Sequence, residues 1–294
     1  MTVFQKPGNW YKGNLHTHST NSDGLYSPEM VCLWYWTTGY DFLSITDHRT
    51  LTLFETPPNP SPVLIPGMEL NGDDARAGGG YHIVGLGLRD MHVQPPDLDA
   101  QGAIDAIRAD GGLAVLAHPY WLGHVTTDLT HLEGATGLEV FNYGTDVSIN
   151  KGDSTYLWDG LLDRKRPLLG LAVDDTHWKL PDAGGGWVMA KAAECAPDAI
   201  LAAIAGGDFY ASQGPEIHDF RIENGVASAE TSPVRTIAFM SERSHGRAIR
   251  SPQGDPISSA HYDLRNEHTY VRLECVDFQG RRAWSNPIWL EGDE

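Results

Sequence analysis

The sequence predicts an α/β protein: a closed or nearly closed seven-stranded β/α barrel followed by an all-β module. Three observations carry this. Short apolar runs alternate with amphipathic stretches over the first two thirds, the pattern of repeated βα units. Beyond about residue 215, helical periodicity gives way to short alternating runs between polar turns. Finally, 294 residues with 41 % hydrophobic and 20 % charged side chains supply enough core for one large unit and a smaller one. We expect the barrel over residues 1–214 and a β-sandwich-like module over 215–294.

The opening run, ending in "NLHTH", is the first strand. "SPEMVCLWYWTTG" then starts a helix, with Ser27 as cap, Pro28 in the first turn, Glu29 at the positive end and Gly39 as stop. The spacing of Met30, Leu33, Trp34 and Thr37 predicts its buried face. "YDFLSIT" reads as a buried parallel strand. "VLIPG", "YHIVGLGL", "LAVLA", "GLEVF" and "PLLGLAV" complete the seven, with "DLDAQGAIDAIRADGG" and "DSTYLWDGLLDRKR" as helices between the later ones. In the second module, "VRTIAFM", "YVRLECVD" and "AWSNPIWL" read as antiparallel strands.

Composition narrows the function classes. A formal net charge of −18 opposes a general nucleic-acid binder, which needs a basic surface. No apolar run is long enough to span a membrane, and the first residues lack a signal-peptide core. Cys32, Cys195 and Cys275 are far apart and odd in number, so we expect thiols in a reducing, cytoplasmic setting. There is no Gly-x-Ser-x-Gly elbow and no Gly-x-x-x-x-Gly-Lys loop. The Gly triplets at 78–80 and 184–186 read as flexible loops.

Ligand chemistry closes nearly every predicted barrel strand: His16, His18 and Asp23, then Asp47 and His48, Glu69, His118, Glu139, and Asp174, Asp175 and His177. His82 stands at the start of its strand instead. In a β/α barrel such residues gather at one face. Each alone reads as an ordinary core or loop residue; six of the 13 histidines at barrel positions do not. Asp47 reads either as a ligand or as an orienter of His48, and Glu139 as an orienter or an ion-pair partner. Asp174 competes with Asp175, although Asp175 and His177 face one way in an extended segment.

The motifs "HTHSTNSDG", "TDH", "PGMEL", "YHIVGLGL", "AHP" and "DDTH" in this order resemble the polymerase and histidinol phosphatase (PHP) superfamily over residues 10–215. The stretch from "FYASQGPEIHDF" to "GRRAWSNPIWL" is similar to its CehA/McbA-type branch. The resemblance implies a distorted (β/α)7 barrel with two or three divalent ions of manganese, iron or zinc. It implies that His16, His18, Glu69 and Asp175 hold one ion. Glu69 would bridge to a second held by His82 and His118, and Asp23, His48 and His177 would hold a third.

Three such ions bring about six positive charges against three ligand carboxylates, which favours a small anionic substrate. The expected reaction is phosphoester hydrolysis by an activated water, with Asp47, Arg49 and Glu139 as further candidate catalytic residues. Arg49, Lys151 and Lys179 are the candidate phosphate-binding cations. The rival is a carboxyl ester, carbamate or amide hydrolase, with Tyr120, Trp121, Tyr143 and Trp178 as candidate walls of an apolar pocket. A third reading is a non-catalytic metal-binding interaction module.

Overall fold

The computed structural model describes residues 2–74, 79–265 and 268–290. The first part runs β1 (Asn9–Asn14), α1 (Pro28–Thr37), β2 (Phe42–Leu43), β3 (Val63–Leu64), β4 (Gly67–Asp74), β5 (Gly79–Leu86) and α2 (Ala100–Ala109). It continues through β6 (Leu113–Leu116), α3 (Thr126–Leu129), β7 (Gly137–Asn142), α4 (Tyr143–Ile149), α5 (Thr155–Leu162), β8 (Leu169–Val173), β9 (Trp187–Ala192) and α6 (Pro197–Ala205). From β10 (Phe209–Ser212) on, the described elements are all strands: β11 (Ile217–Glu223), β12 (Val226–Val234), β13 (Thr236–Met240) and β14 (Gly246–Ile249). The last are β15 (Ile257–Asp263), β16 (Tyr270–Val276), β17 (Arg282–Ser285) and β18 (Ile288–Trp289).

The expected alternation is present, but the strands do not form a continuous parallel ladder. Five of them form one sheet in the order β4-β5-β6-β7-β8, in which β4, β5 and β6 run antiparallel and only β6, β7 and β8 are parallel. For β4 and β5 the reason is connection length. Only a few residues separate Asp74 from Gly79, whereas a parallel crossover needs about a dozen or more. β1, β2 and β3 are parallel neighbours within a second, ten-stranded sheet. Two isolated parallel bridges, Thr17 with Thr176 and His48 with Glu69, join this sheet to both ends of the five-stranded one. Both bridges lie among the candidate ligands.

Helix α1 starts as its sequence predicts, with Ser27 Oγ accepting from Met30 N. Its buried face is Val31, Cys32 and Tyr35, not the expected one; Met30 and Leu33 are exposed. Apolar residues surround this helix, so spacing alone does not choose a face, and the packing against Tyr40, Leu43 and Ile45 decides it.

The large sheet crosses the expected boundary at residue 214. Its order, β14-β13-β16-β17-β10-β9-β1-β2-β3, makes one surface of both parts of the chain. A three-stranded sheet, β11-β12-β15, belongs to the same core cluster as β13, β16 and β17, which includes Phe220, Phe239, Val271 and Leu273. Arg272 on β16 is fully buried against Trp158 and forms a two-pronged bond to Asp159 on α5, at 2.8 and 2.9 Å. Glu274 lies 3.3 Å from the same guanidinium. All three cysteines are free thiols, and no described helix is long and apolar enough to cross a membrane.

The Arg272–Asp159 pair is a strut between the two parts. Asp159→Ala leaves a buried guanidinium short of its main partner and is expected to lower stability by about 3 kcal/mol, read from urea unfolding monitored by tryptophan fluorescence.

Candidate metal centre

β1 delivers the chain into an extended segment whose backbone pairs with the segment after β8. Asp175 N donates to His16 O (2.8 Å) and His18 N donates to Thr176 O (3.0 Å). This pairing sets His16, His18 and Asp175 side by side although 157 residues separate His18 from Asp175. Alternation puts both imidazoles on one side, with their Nε2 atoms 3.1 Å apart, while Thr17 N takes Thr46 Oγ1 as acceptor.

Four atoms surround one point: His16 Nε2, His18 Nε2, Asp175 Oδ1 and Glu69 Oε2. The imidazole nitrogens lie 3.1–3.2 Å from each carboxylate oxygen and from one another. Separations of this size are those of ligand atoms that each stand about 2 Å from one divalent ion. Glu69 Oε2 is buried with nitrogens of His16, His18 and His48 each 3.2 Å away and no well-directed hydrogen bond, as suits an atom facing an ion. The donor set fits a divalent ion.

The other oxygen of Glu69 faces elsewhere. Oε1 lies 2.7 Å from His82 Nδ1 and 3.1 Å from His118 Nε2, which forms a second group. β5 begins earlier than expected, so His82 lies in its middle, and the antiparallel β4–β5 pairing sets it opposite Asn71, two residues beyond Glu69 on β4. The third group is Asp23, His48 and His177, joined by His18, whose ring centroid lies 4.6 and 4.2 Å from those of His48 and His177. Asp23 Oδ1 lies 3.3 Å from His177 Nε2 and 3.9 Å from His48 Nε2. The nine residues that the resemblance implies as ligands are therefore all brought together.

Burial opposes charge on these imidazoles, but Asp175, Glu139 and Glu69 outweigh it and hold His16 well above the ordinary histidine value. Burial opposes charge on His18 too, yet hydrogen bonds to Asp175 and Glu69 raise it to about 9. Despite burial, Glu69 is held well below the carboxylate range by His16 and by hydrogen bonds from His118, His16 and His18. Burial pushes His48 down to about 4.

The three further candidates have supporting positions. Glu139 is buried with Oε1 2.5 Å from His16 Nδ1, while Oε2 accepts from His118 N and Asn142 Nδ2. It fixes the ring that presents Nε2 to the centre. Asp47 does not orient His48 through its carboxylate. That group accepts from Ser19 N and from the hydroxyls of Ser19, Ser22 and Thr52, which shapes the loop leading to Asp23. Arg49 has positive φ, its Nε donates to Asn71 Oδ1, and its backbone N–H holds Glu69 O. It is not among the residues that line the cavity.

Asp174 also turns away from the centre. It accepts from Tyr35 Oη and from the backbone N–H groups of Gly184, Gly185 and Gly186. Burial lifts it to about 6 in spite of these donors. The second Gly triplet is thus a cradle for a carboxylate and not a free loop; a Cβ at Gly186 would lie 2.5 Å from Val173 O. Of the first triplet, Gly78 lies outside the described residues, and Gly79 and Gly80 open β5.

A cavity of about 350 Å³ opens over the three groups. Trp121 is the one expected aromatic residue among its lining residues, edge-on to His118 at 5.1 Å. Trp178 stacks on Tyr26 and donates its indole N–H to His18 O, and Tyr143 packs against the core. Lys179 lines the cavity, whereas Lys151 lies over Tyr120. Thr145, Ser148, Leu180 and Asp182 also line it and had no signal in the sequence. Asp182 holds the turn below by accepting from Thr176 Oγ1, His177 N and Trp178 N.

Two outcomes are expected. Glu139→Gln keeps every ligand but loosens His16, and metal affinity should fall about 10- to 100-fold in competition with a chelator. Without metal the charged form is favoured on His18 and, in the same direction, on His16, whereas a bound ion needs both neutral. Affinity should therefore weaken as pH falls and go on rising through about 9, where His18 is half deprotonated. Titration calorimetry in buffers of different ionisation heat should record the proton release.

No protein-family model matches the chain, and no curated protein matches it in sequence. Solved structures do. A two-domain protein from Bacteroides vulgatus containing a predicted PHP-like metal-dependent phosphoesterase aligns with TM-score 0.55 and 16 % identity, over 92 % of each chain. A candidate metal-dependent phosphoesterase from Bifidobacterium adolescentis aligns with TM-score 0.41 and 14 % identity, over 58 % of this chain and 90 % of that one. An amidohydrolase from Chromobacterium violaceum, with bound sulfate and no metal, aligns with TM-score 0.42 and 18 % identity, over 56 % and 87 %. The chain has a PHP-like fold, shared over nearly its whole length with the two-domain protein from Bacteroides vulgatus.

Proposed function

We infer that this chain is a metal-dependent hydrolase, and specifically a phosphoesterase acting on a small anionic phosphate ester. The observation that carries the reading is Glu69: one buried carboxylate turns its two oxygens toward two different groups of ligand atoms beneath one open cavity. In this reading His16, His18, Glu69 and Asp175 hold one ion, Glu69, His82 and His118 a second, and Asp23, His48 and His177 a third, of manganese, iron or zinc. Such ions activate water near neutral pH and stabilise charge on a phosphoryl group.

The protein's own groups prepare that chemistry. Glu139 keeps the Nδ1 face of His16 engaged, so Nε2 stays presented to the centre. Asn142 donates to both Glu139 Oε2 and Asp175 Oδ2 and ties two of the buried carboxylates together. Asp182 fixes the turn that carries His177. Trp121 and Leu180 supply apolar surface to the cavity wall. The same apolar wall favours a second reading, hydrolysis of an aryl carboxyl ester, carbamate or amide of the CehA/McbA type.

We read residues 1–214 as a distorted (β/α)7 barrel closed by the Thr17–Thr176 and His48–Glu69 bridges, and 215–294 as its all-β companion. The three unpaired thiols support a reducing, cytoplasmic setting.

Protein loaded with manganese, iron or zinc should hydrolyse nitrophenyl phosphates in preference to nitrophenyl carboxyl esters. Turnover of carboxyl esters alone would favour the second reading. Asp175→Ala and His16→Ala should lose bound metal by elemental analysis and lower turnover by about 10³-fold or more. Full activity in metal-depleted protein would overturn both readings.

A further inference from the structure

Among the described residues lining the cavity there is one lysine and no arginine. That lysine, Lys179, follows a turn held from two sides. The backbone N–H groups of His177 and Trp178 donate to Asp182, and the Trp178 indole N–H donates to His18 O. The tip of the side chain is held far less firmly. It is half exposed, and its Nζ lies 3.4 Å from Asp23 Oδ2, longer than the roughly 2.7–2.9 Å of a strong charge-assisted bond. Asp23 also belongs to the group with His18, His48 and His177. A cation bound there competes for the same carboxylate and leaves the ammonium without its partner. A fixed base with a loosely held cationic tip on a flexible stem suits an incoming anion.

We propose that Lys179 binds a terminal phosphoryl oxygen of the substrate and thereby selects phosphate monoesters over diesters; this rests on the phosphoesterase reading. A monoester carries about 1.5 to 2 negative charges at neutral pH and three non-bridging oxygens, so one oxygen remains for an ammonium when ions take the others. A diester has fewer of both. Its second substituent would also take the place of the oxygen that meets Lys179. A carboxyl ester offers the ammonium no ground-state anion at all.

The test compares metal-loaded wild type, Lys179→Met and Lys179→Arg. Metal content is measured first, then inorganic phosphate binding by calorimetry, then kcat/KM for 4-nitrophenyl phosphate and for bis(4-nitrophenyl) phosphate. Lys179→Met should carry the wild-type metal content and bind phosphate about tenfold or more weakly, as expected for loss of a charge-assisted hydrogen bond. Its monoester-to-diester ratio should fall by a similar factor, and Lys179→Arg should restore most of both. Unchanged phosphate affinity and ratio, in a protein that still hydrolyses phosphate esters, would overturn the assignment of Lys179 and leave the phosphoesterase reading standing. Loss of metal from Lys179→Met would make the residue a support for Asp23 and overturn the assignment as well. A wild type that neither binds phosphate nor hydrolyses any phosphoester would overturn both together.

Discussion

Three carboxylates and several imidazoles buried at one place form an arrangement that no ordinary core tolerates. Glu69, Asp175 and Glu139 are all nearly inaccessible to solvent, as are His16, His18 and His118. Isolated, each ionised group would be expelled from such a site or neutralised. Together they are matched, carboxylate to imidazole, with Asn142 donating to two of the acids. Much of the surrounding architecture serves this match. The pairing of the His16 segment with the Asp175 segment and the bridge from His48 to Glu69 are the backbone hardware that holds opposite charges in register.

Around this centre lies a ring of groups that touch no candidate ion position yet fix those that do. Asp47, Asp174 and Asp182 are buried acids, each satisfied by backbone N–H groups or hydroxyls of the loops that carry ligands. A carboxylate with several short acceptor bonds locks a loop more firmly than apolar contact does, because each lost bond leaves a buried polar group unpaired. Backbone strain collects here too. His118, Asp175 and Trp178 all have positive φ, a conformation that non-glycine residues hold only where their surroundings enforce it.

The candidate ligands were legible in the sequence because metal binding demands particular atoms. The "HTH" pair, the "TDH" and "DDTH" turns and the Glu of "PGMEL" announce themselves by residue type, and alternation places two of them on one side. His82 looked misplaced because strand direction is not written in a hydrophobic run; the antiparallel β4–β5 pair removes the anomaly. The acids of the supporting ring were harder to sort. Asp47 and Asp174 stand beside ligands and carry the same chemistry, and only their donors separate support from ligation. Helix α1 misled for another reason, since a helix apolar on every side contains no directional information. The end of the first part was visible as a change of periodicity, but its sheet runs on through β10 and β17, and a pairing between distant strands leaves no local trace.

The N-terminal strand β1 is an interior strand of the large sheet, with β2 on one side and β9 on the other. A chain emerging from a ribosome therefore holds the first two histidines long before it holds their partners. β9 follows β1 by most of the first part of the chain, and Asp175 lies just before it. Closing so long a loop is slow compared with local folding. The cluster can be assembled only once residues 175–177 have been made, and shorter chains expose "HTH" with nothing to complete it.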